Sequence, residues 1–268
     1  MTTGPFSTFE LSSPEFSPAN TRFLTVQSPA LGRRGDIVIY NAETATPDVP
    51  AITLLHGVYG SAWAWMYAGG VHTVYERLRE EGLSEFVLLM PSDGLTGDGS
   101  GYFARDDADY RRWITDDVRT AAALAVPGLT EASRHYICGL SMGGYGALRL
   151  AALEPGIYSG ASAHSPITTA TDFDGFTDTN PADGVTDTDL AKLIATRADT
   201  MPPFRFDCGR DDPLFSSAQR LHDTLASAGV AHGFEALEGG HNWPYWTRNV
   251  GKSFTLFDKV ERDSETQR

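Results

Sequence analysis

The chain has 268 residues, 41% of them hydrophobic and 21% charged, with a formal net charge of -14. That length supports one large domain with a substantial buried core. The acidic balance repels phosphate backbones and anionic lipid, which argues against nucleic acid or a membrane surface as a partner.

Residues 1 to 20 are rich in Ser, Thr and Pro and lack the basic-then-apolar pattern of a signal peptide, so an irregular start and a cytoplasmic location are expected. Phe23 to Gln27 and Asp36 to Tyr40 then read as two strands joined by the turn-like stretch Ser28 to Gly35, an antiparallel pair at a sheet edge. Short, almost wholly apolar runs follow. Ala51 to Leu55 precedes a loop and a helix ending near Gly82. Phe86 to Met90 precedes a Gly-rich loop and a helix from about Asp109 to Ala125. His135 to Gly139 leads to a helix over Gly143 to Leu153, and further runs occupy Gly160 to His164, Phe204 to Cys208 and Gly233 to Leu237. Strands without polar alternation are buried on both faces, as in a parallel sheet covered by helices. Strand and helix in alternation predict an α/β, mostly parallel, doubly wound sheet of about eight strands. In that class ligands bind beyond the carboxyl ends of the strands, so candidate residues are sought there.

Cys138 and Cys208 fall in or at the end of such runs and read as small core residues, too few for a disulfide framework. No run approaches the roughly 20 apolar residues of a membrane span. Ile167 to Thr200 has little strand patterning and is expected to form a small flap or lid within the single domain. Its aspartates, Asp172, Asp174, Asp178, Asp183, Asp187 and Asp189, lack the full calcium-loop pattern and read as a solvated acidic flap without a metal.

The strand His135 to Gly139 runs into Leu140-Ser141-Met142-Gly143-Gly144, a G-x-S-x-G placed between strand and helix. Gly139 and Gly143 allow the tight turn that presents Ser141 at a helix N-terminus, where free N–H groups favour developing negative charge. A serine hydroxyl needs an adjacent base. Of the seven histidines, His135 is at the wrong end of its strand, His72 and His222 lie in helical patterning, and His232 precedes its strand. His56 reads as a hydrogen-bonded structural residue. His241, after the last strand in Gly239-Gly240-His241-Asn242-Trp243-Pro244, is the better base. His164 is left to line the pocket or to satisfy a core hydrogen bond. The base needs a carboxylate to orient its ring. Gly209-Arg210-Asp211-Asp212-Pro213 follows the strand Phe204 to Cys208, and Asp212 is favoured over Asp211. The order Ser, Asp, His suits this arrangement. Oxyanion donors are expected from the Met142 amide and, in the loop His56-Gly57-Val58-Tyr59-Gly60, from Val58 with Tyr59 second. Tyr59, Tyr102, Phe103, His164 and Trp243 are the candidate substrate contacts, with Trp243 at the pocket rim beside His241.

With these segments in place the chain resembles the esterase D-like branch of the α/β hydrolases. The resemblance rests on Leu54-Leu55-His56-Gly57 with Trp63 and Trp65, on Gly139 to Gly144, on Cys208 to Leu214 and on Gly239 to Trp243. It spans about residue 22 to residue 257. That branch includes feruloyl and acetyl-xylan esterases, S-formylglutathione hydrolases, tributyrin-type esterases and mycolyltransferases. The resemblance implies a serine carboxylesterase without metal or organic cofactor, acting on a small-molecule or carbohydrate-linked ester. In the branch's acid loop the aspartate precedes a short apolar pair, which maps to Asp212. An acyltransferase of the mycolyltransferase type is the alternative, and a non-catalytic binding protein on the same scaffold a weaker one.

Overall fold

A computed structural model describes residues 3–173 and 189–266. Nine strands form one sheet: β1 (Phe9–Leu11), β2 (Thr21–Ser28), β3 (Arg33–Tyr40), β4 (Ala51–Leu55), β5 (Val87–Pro91), β6 (His135–Leu140), β7 (Tyr158–His164), β8 (Phe204–Gly209) and β9 (Gly233–Leu237). Their order is β1-β2-β3-β5-β4-β6-β7-β8-β9. The first three run antiparallel to their neighbours, and β5 through β9 are mutually parallel. The α/β, mostly parallel architecture expected from the apolar runs is therefore present. The edge differs. Strands β2 and β3 extend further towards each other than predicted, and β1 lies outside them.

The helices are α1 (Ala64–Tyr67), α2 (Val71–Glu80), α3 (Tyr110–Arg112), α4 (Val118–Ala125), α5 (Met142–Leu153), α6 (Leu190–Thr196), α7 (Phe215–Ser227) and α8 (Trp243–Thr266). A single π-helical turn, Trp113–Asp117, joins α3 to α4. There the Trp113 indole N–H donates to the Ser92 carbonyl at 2.7 Å, just beyond β5.

Every residue of β4, β5 and β6 is buried, and successive side chains enter opposite layers. Ala51, Leu55, Val87, Leu89 and Ile137 pack in the layer that holds α4, α5, α6 and α7. Ile52, Leu54, Leu88, Met90, Tyr136 and Cys138 pack in the layer that holds α1, α2 and α8. Fully burying a side chain of this size contributes roughly 1.5–3 kcal/mol, so the two layers dominate the stabilisation. Cys138 and Cys208 are both buried free thiols, as expected.

β5 lies on one side of β4 and β6 on the other, so the chain direction across the sheet reverses at the β4–β6 boundary. Loops leaving two such strands diverge above and below the sheet and open a crevice between them. The His56–Gly60 loop and the β6–α5 turn leave the sheet at that crevice.

Candidate active site

Ser141 occupies the turn between β6 and α5 with φ 53° and ψ −119°, a region that non-glycine residues rarely adopt. Strain of this kind costs of order 1–3 kcal/mol and persists only when the surroundings over-determine it. Here they do. The Ser141 amide donates to the His164 carbonyl at 3.0 Å, and the Ser141 carbonyl accepts from Tyr145 at 3.1 Å and Ile167 at 3.2 Å. A Cβ at Gly139 would lie 2.0 Å from the Gly143 carbonyl oxygen, and one at Gly143 would lie 2.3 Å from that of Leu55. Both positions therefore require glycine for close backbone approach, as the motif implied.

His241 stands in the loop between β9 and α8. Its Nε2 is 3.1 Å from Ser141 Oγ, and its Nδ1 is 2.9 Å from Asp212 Oδ2. Its ring packs edge-on against Trp246, with centroids 5.0 Å apart. Asp212 follows β8 and is buried, whereas Asp211 is exposed. The second Asp212 oxygen accepts the Leu214 amide at 2.8 Å. Burial alone would raise the pKa of this carboxyl. The hydrogen bond and charge of His241, with the Leu214 amide and the Ser165 hydroxyl, outweigh burial and hold it below the ordinary value. An ionised Asp212 fixes the proton of neutral His241 on Nδ1 and leaves Nε2 as the acceptor facing Ser141.

Met142 opens α5, and Val58 lies in the loop after β4 at the wall of the same cavity. The Tyr59 amide is committed to the Asp98 carbonyl at 2.9 Å, so of the two loop amides considered Val58 is the better placed donor. His56 is buried and structural. Its Nδ1 donates to the Gly57 carbonyl at 2.7 Å and its Nε2 accepts the Asp93 amide at 3.0 Å. Burial pushes its pKa down, which favours this neutral, single-tautomer arrangement.

Ser141 and His241 open into a cavity of about 510 Å³. Tyr59 and Trp243 line it, and Trp63, Trp246, Ile167 and Leu214 join them. The sequence offers Trp63, Trp65 and Trp243 for an aromatic rim or for the core and favours Trp243 alone; Trp246 was not anticipated. Trp246 sits three residues beyond Trp243 on α8, and that spacing places both on one helix face. Three candidate contacts, Tyr102, Phe103 and His164, do not line the cavity. Tyr102 is fully buried with its hydroxyl on the His56 carbonyl at 3.0 Å, and Phe103 is buried beside it. Tyr102 has φ 58° after Gly101 at φ 67°, and this reversal turns the side chain into the core. His164 is fully buried as well and takes the core hydrogen-bonding role instead.

Of the acidic stretch, Asp172 borders the cavity and accepts from the Thr168 and Thr169 amides at 3.4 and 3.3 Å. Asp189 caps α6 through the Lys192 amide at 3.1 Å. Asp174, Asp178, Asp183 and Asp187 lie outside the described residues, so the flap reading concerns only its two ends. Among the described residues no three His, Cys, Asp or Glu side chains are grouped to hold a metal ion, and no helix is long and apolar enough to cross a membrane.

A family model described as "Putative esterase" matches residues 28–253. The acetyl esterase of Caldicellulosiruptor saccharolyticus is 24% identical over 248 residues, covering 82% of this chain and 88% of that protein. The structure of FphF, a fluorophosphonate-binding serine hydrolase of Staphylococcus aureus, matches with a TM-score of 0.74 at 20% identity, over 90% of this chain and 99% of that one. A ferulic acid esterase structure matches with a TM-score of 0.75 at 20% identity, over 94% of this chain and 99% of that one. The likeness to these structures shows the α/β-hydrolase fold.

Proposed function

The chain belongs to the putative esterase family, is a serine hydrolase of carboxylic esters, and from that premise we propose that it works through Ser141, His241 and Asp212 on small, uncharged acyl groups. The observation that carries the proposal is the unbroken hydrogen-bonded series Asp212–His241–Ser141 at the floor of a largely apolar cavity.

In this reading Ser141 Oγ attacks the ester carbonyl while His241 Nε2 takes its proton. Asp212 stabilises the imidazolium that forms. The Val58 and Met142 amides receive the oxyanion, and each such donor is worth about 10²–10³ in kcat. His241 then protonates the leaving alcohol. Water, deprotonated by the same His241, releases the acid and restores Ser141.

The cavity wall supports the substrate class. Trp63, Trp243, Trp246, Ile167 and Leu214 offer apolar and aromatic surface to an acyl chain or ring. Acetyl and ferulic acid esters, the substrates named for two relatives, both fit that description. Transfer to an alcohol acceptor is not favoured, because no observation on the site selects an alcohol over water.

The test is hydrolysis of p-nitrophenyl esters from acetate to octanoate, and of a ferulate ester, by wild type and by Ser141→Ala. Loss of about 10⁴ or more in kcat is expected for the variant. Wild-type-like turnover by Ser141→Ala would remove Ser141 from the mechanism.

A further inference from the structure

Beside the β6–α5 turn lies a second Ser-His-Asp arrangement, sealed from solvent. His164, the last residue of β7, places Nε2 2.8 Å from Ser253 Oγ on α8 and Nδ1 2.9 Å from Asp207 Oδ2 on β8. All three residues are fully buried. Asp207 accepts the Tyr245 hydroxyl at 2.7 Å and Arg205 Nη1 at 2.7 Å, and Arg205 continues to Glu235 at 2.7 Å. Ser253 is 2.7 Å from Ser162 and 3.5 Å from Cys138 Sγ. A substrate cannot reach Ser253, so this group is not a second catalytic centre. Burying two charges costs several kcal/mol per ion, and apolar side chains of similar volume often do as well or better. The arrangement needs another explanation.

Its connections supply one. The carbonyl of His164 accepts the Ser141 amide at 3.0 Å. The next residue, Ser165, has φ 47°; its amide donates to the Asp207 carbonyl at 2.7 Å, and its hydroxyl accepts the Trp246 indole at 3.2 Å. Trp246 is the ring that packs against His241. Tyr245, on the first turn of α8 just past His241, is tied to Asp207, and Asp207 stands on the strand that ends at the Asp212 loop. Each of the three segments that carry Ser141, Asp212 and His241 is thus bonded to one buried ion pair or to the residue beside it.

We propose that the His164–Asp207 ion pair is the positioning element of the site, fixing the Ser141, Asp212 and His241 loops relative to one another. The inference rests on the catalytic reading of those three residues. Neither His164 nor Asp207 touches substrate. The groups that face His164 are Asp207 from β8, Ser253 from α8, Cys138 from β6 and the Trp65 indole of α1, with Arg205, Tyr245 and Ser162 one bond further out. Burial alone would discharge His164, but the adjacent Asp207 outweighs it and raises its pKa to about 9. Asp207, which burial would raise, is held at about 2 by His164, Arg205 and Tyr245. The pair is ionised at neutral pH.

The test compares wild type with His164→Gln and Asp207→Asn. A fluorophosphonate label counts competent Ser141 sites, and kcat and KM for p-nitrophenyl acetate are then expressed per labelled site. Displacement of reacting groups by about 1 Å costs about 10²-fold, so kcat per site is expected to fall about 10- to 100-fold with KM little changed. A residue that only stabilises the fold would lower the number of labelled sites and leave kcat per site alone, and that result overturns the proposal. Wild-type kcat is also expected to fall as pH rises through about 9, where His164 loses its proton. A flat wild-type profile there overturns it without relying on either variant. A wild type that takes no label removes the catalytic reading and this inference together; a labelled wild type with unchanged variants removes only the inference.

Discussion

Replacing Asp212 by Asn keeps the shape of the side chain and inverts its message. The two carboxylate oxygens have distinct partners: Oδ1 accepts the Leu214 amide at 2.8 Å and Oδ2 accepts His241 Nδ1 at 2.9 Å. The Leu214 N–H cannot face an NH₂ group at that distance, so the Asn oxygen must stay with Leu214. The NH₂ is then directed at His241, which has to present Nδ1 as an acceptor and carry its proton on Nε2. That proton points at Ser141 Oγ, 3.1 Å away, and blocks the transfer that makes Ser141 a nucleophile. In Ser-His-Asp sites the wrong tautomer lowers kcat by about 10⁴, equivalent to about 5.5 kcal/mol. The assay is steady-state hydrolysis of p-nitrophenyl acetate, with circular dichroism and thermal melting to show that the variant folds. Asp211→Asn is the control, since Asp211 is exposed and it is Asp212 that holds His241 Nδ1. A folded Asp212→Asn enzyme within tenfold of wild type would refute the tautomer argument and the role given to Asp212.

Val58→Pro removes one proposed oxyanion donor, and Tyr59 cannot replace it while its amide holds the Asp98 carbonyl. The expected loss is about 10²–10³ in kcat with KM nearly unchanged, read from the same ester assay; a loss below threefold would place the donor elsewhere. Stability should peak at about pH 6.5 in urea unfolding and fall on either side. His164, raised to about 9 by Asp207, contributes stability that is complete below about pH 6.5, its unfolded value, and is lost progressively as pH rises from there through about 9. His135, pushed to about 3 by burial and by Arg119, contributes stability that is lost as pH falls below about 6.5. A His164→Gln variant with the same alkaline slope as wild type would contradict the first assignment.

The parallel strands and the three loops of the site were legible because each rests on local chemistry: an apolar run, a glycine pair at a forced close approach, an aspartate or histidine just past a strand. What failed depends on direction rather than identity. His164 follows a strand, as a pocket residue should, but Ala161 and Ala163 face the α5 layer, so His164 points to the opposite layer, under α8. Counting alternate positions back along β7 would have shown this. Tyr102 turns inward through two successive left-handed residues in a loop, and no spacing rule encodes that. The edge strand β1 is three residues long and pairs only through β2, too short for any periodicity to register. Trp63 is half exposed at the cavity mouth just before α1 begins, a boundary that the sequence leaves open by a residue or two.

The long-range bonding of the site also sets when activity can arise during synthesis. The nucleophile, its strand and its helix belong to the middle of the chain, yet His241, Trp246, Tyr245 and Ser253 all arrive with β9 and α8. On the proposed triad, a nascent chain that has exposed everything up to β8 would present Ser141 without its base or the α8 partners of His164 and Asp207, and is expected to be inert towards esters until α8 docks across β7.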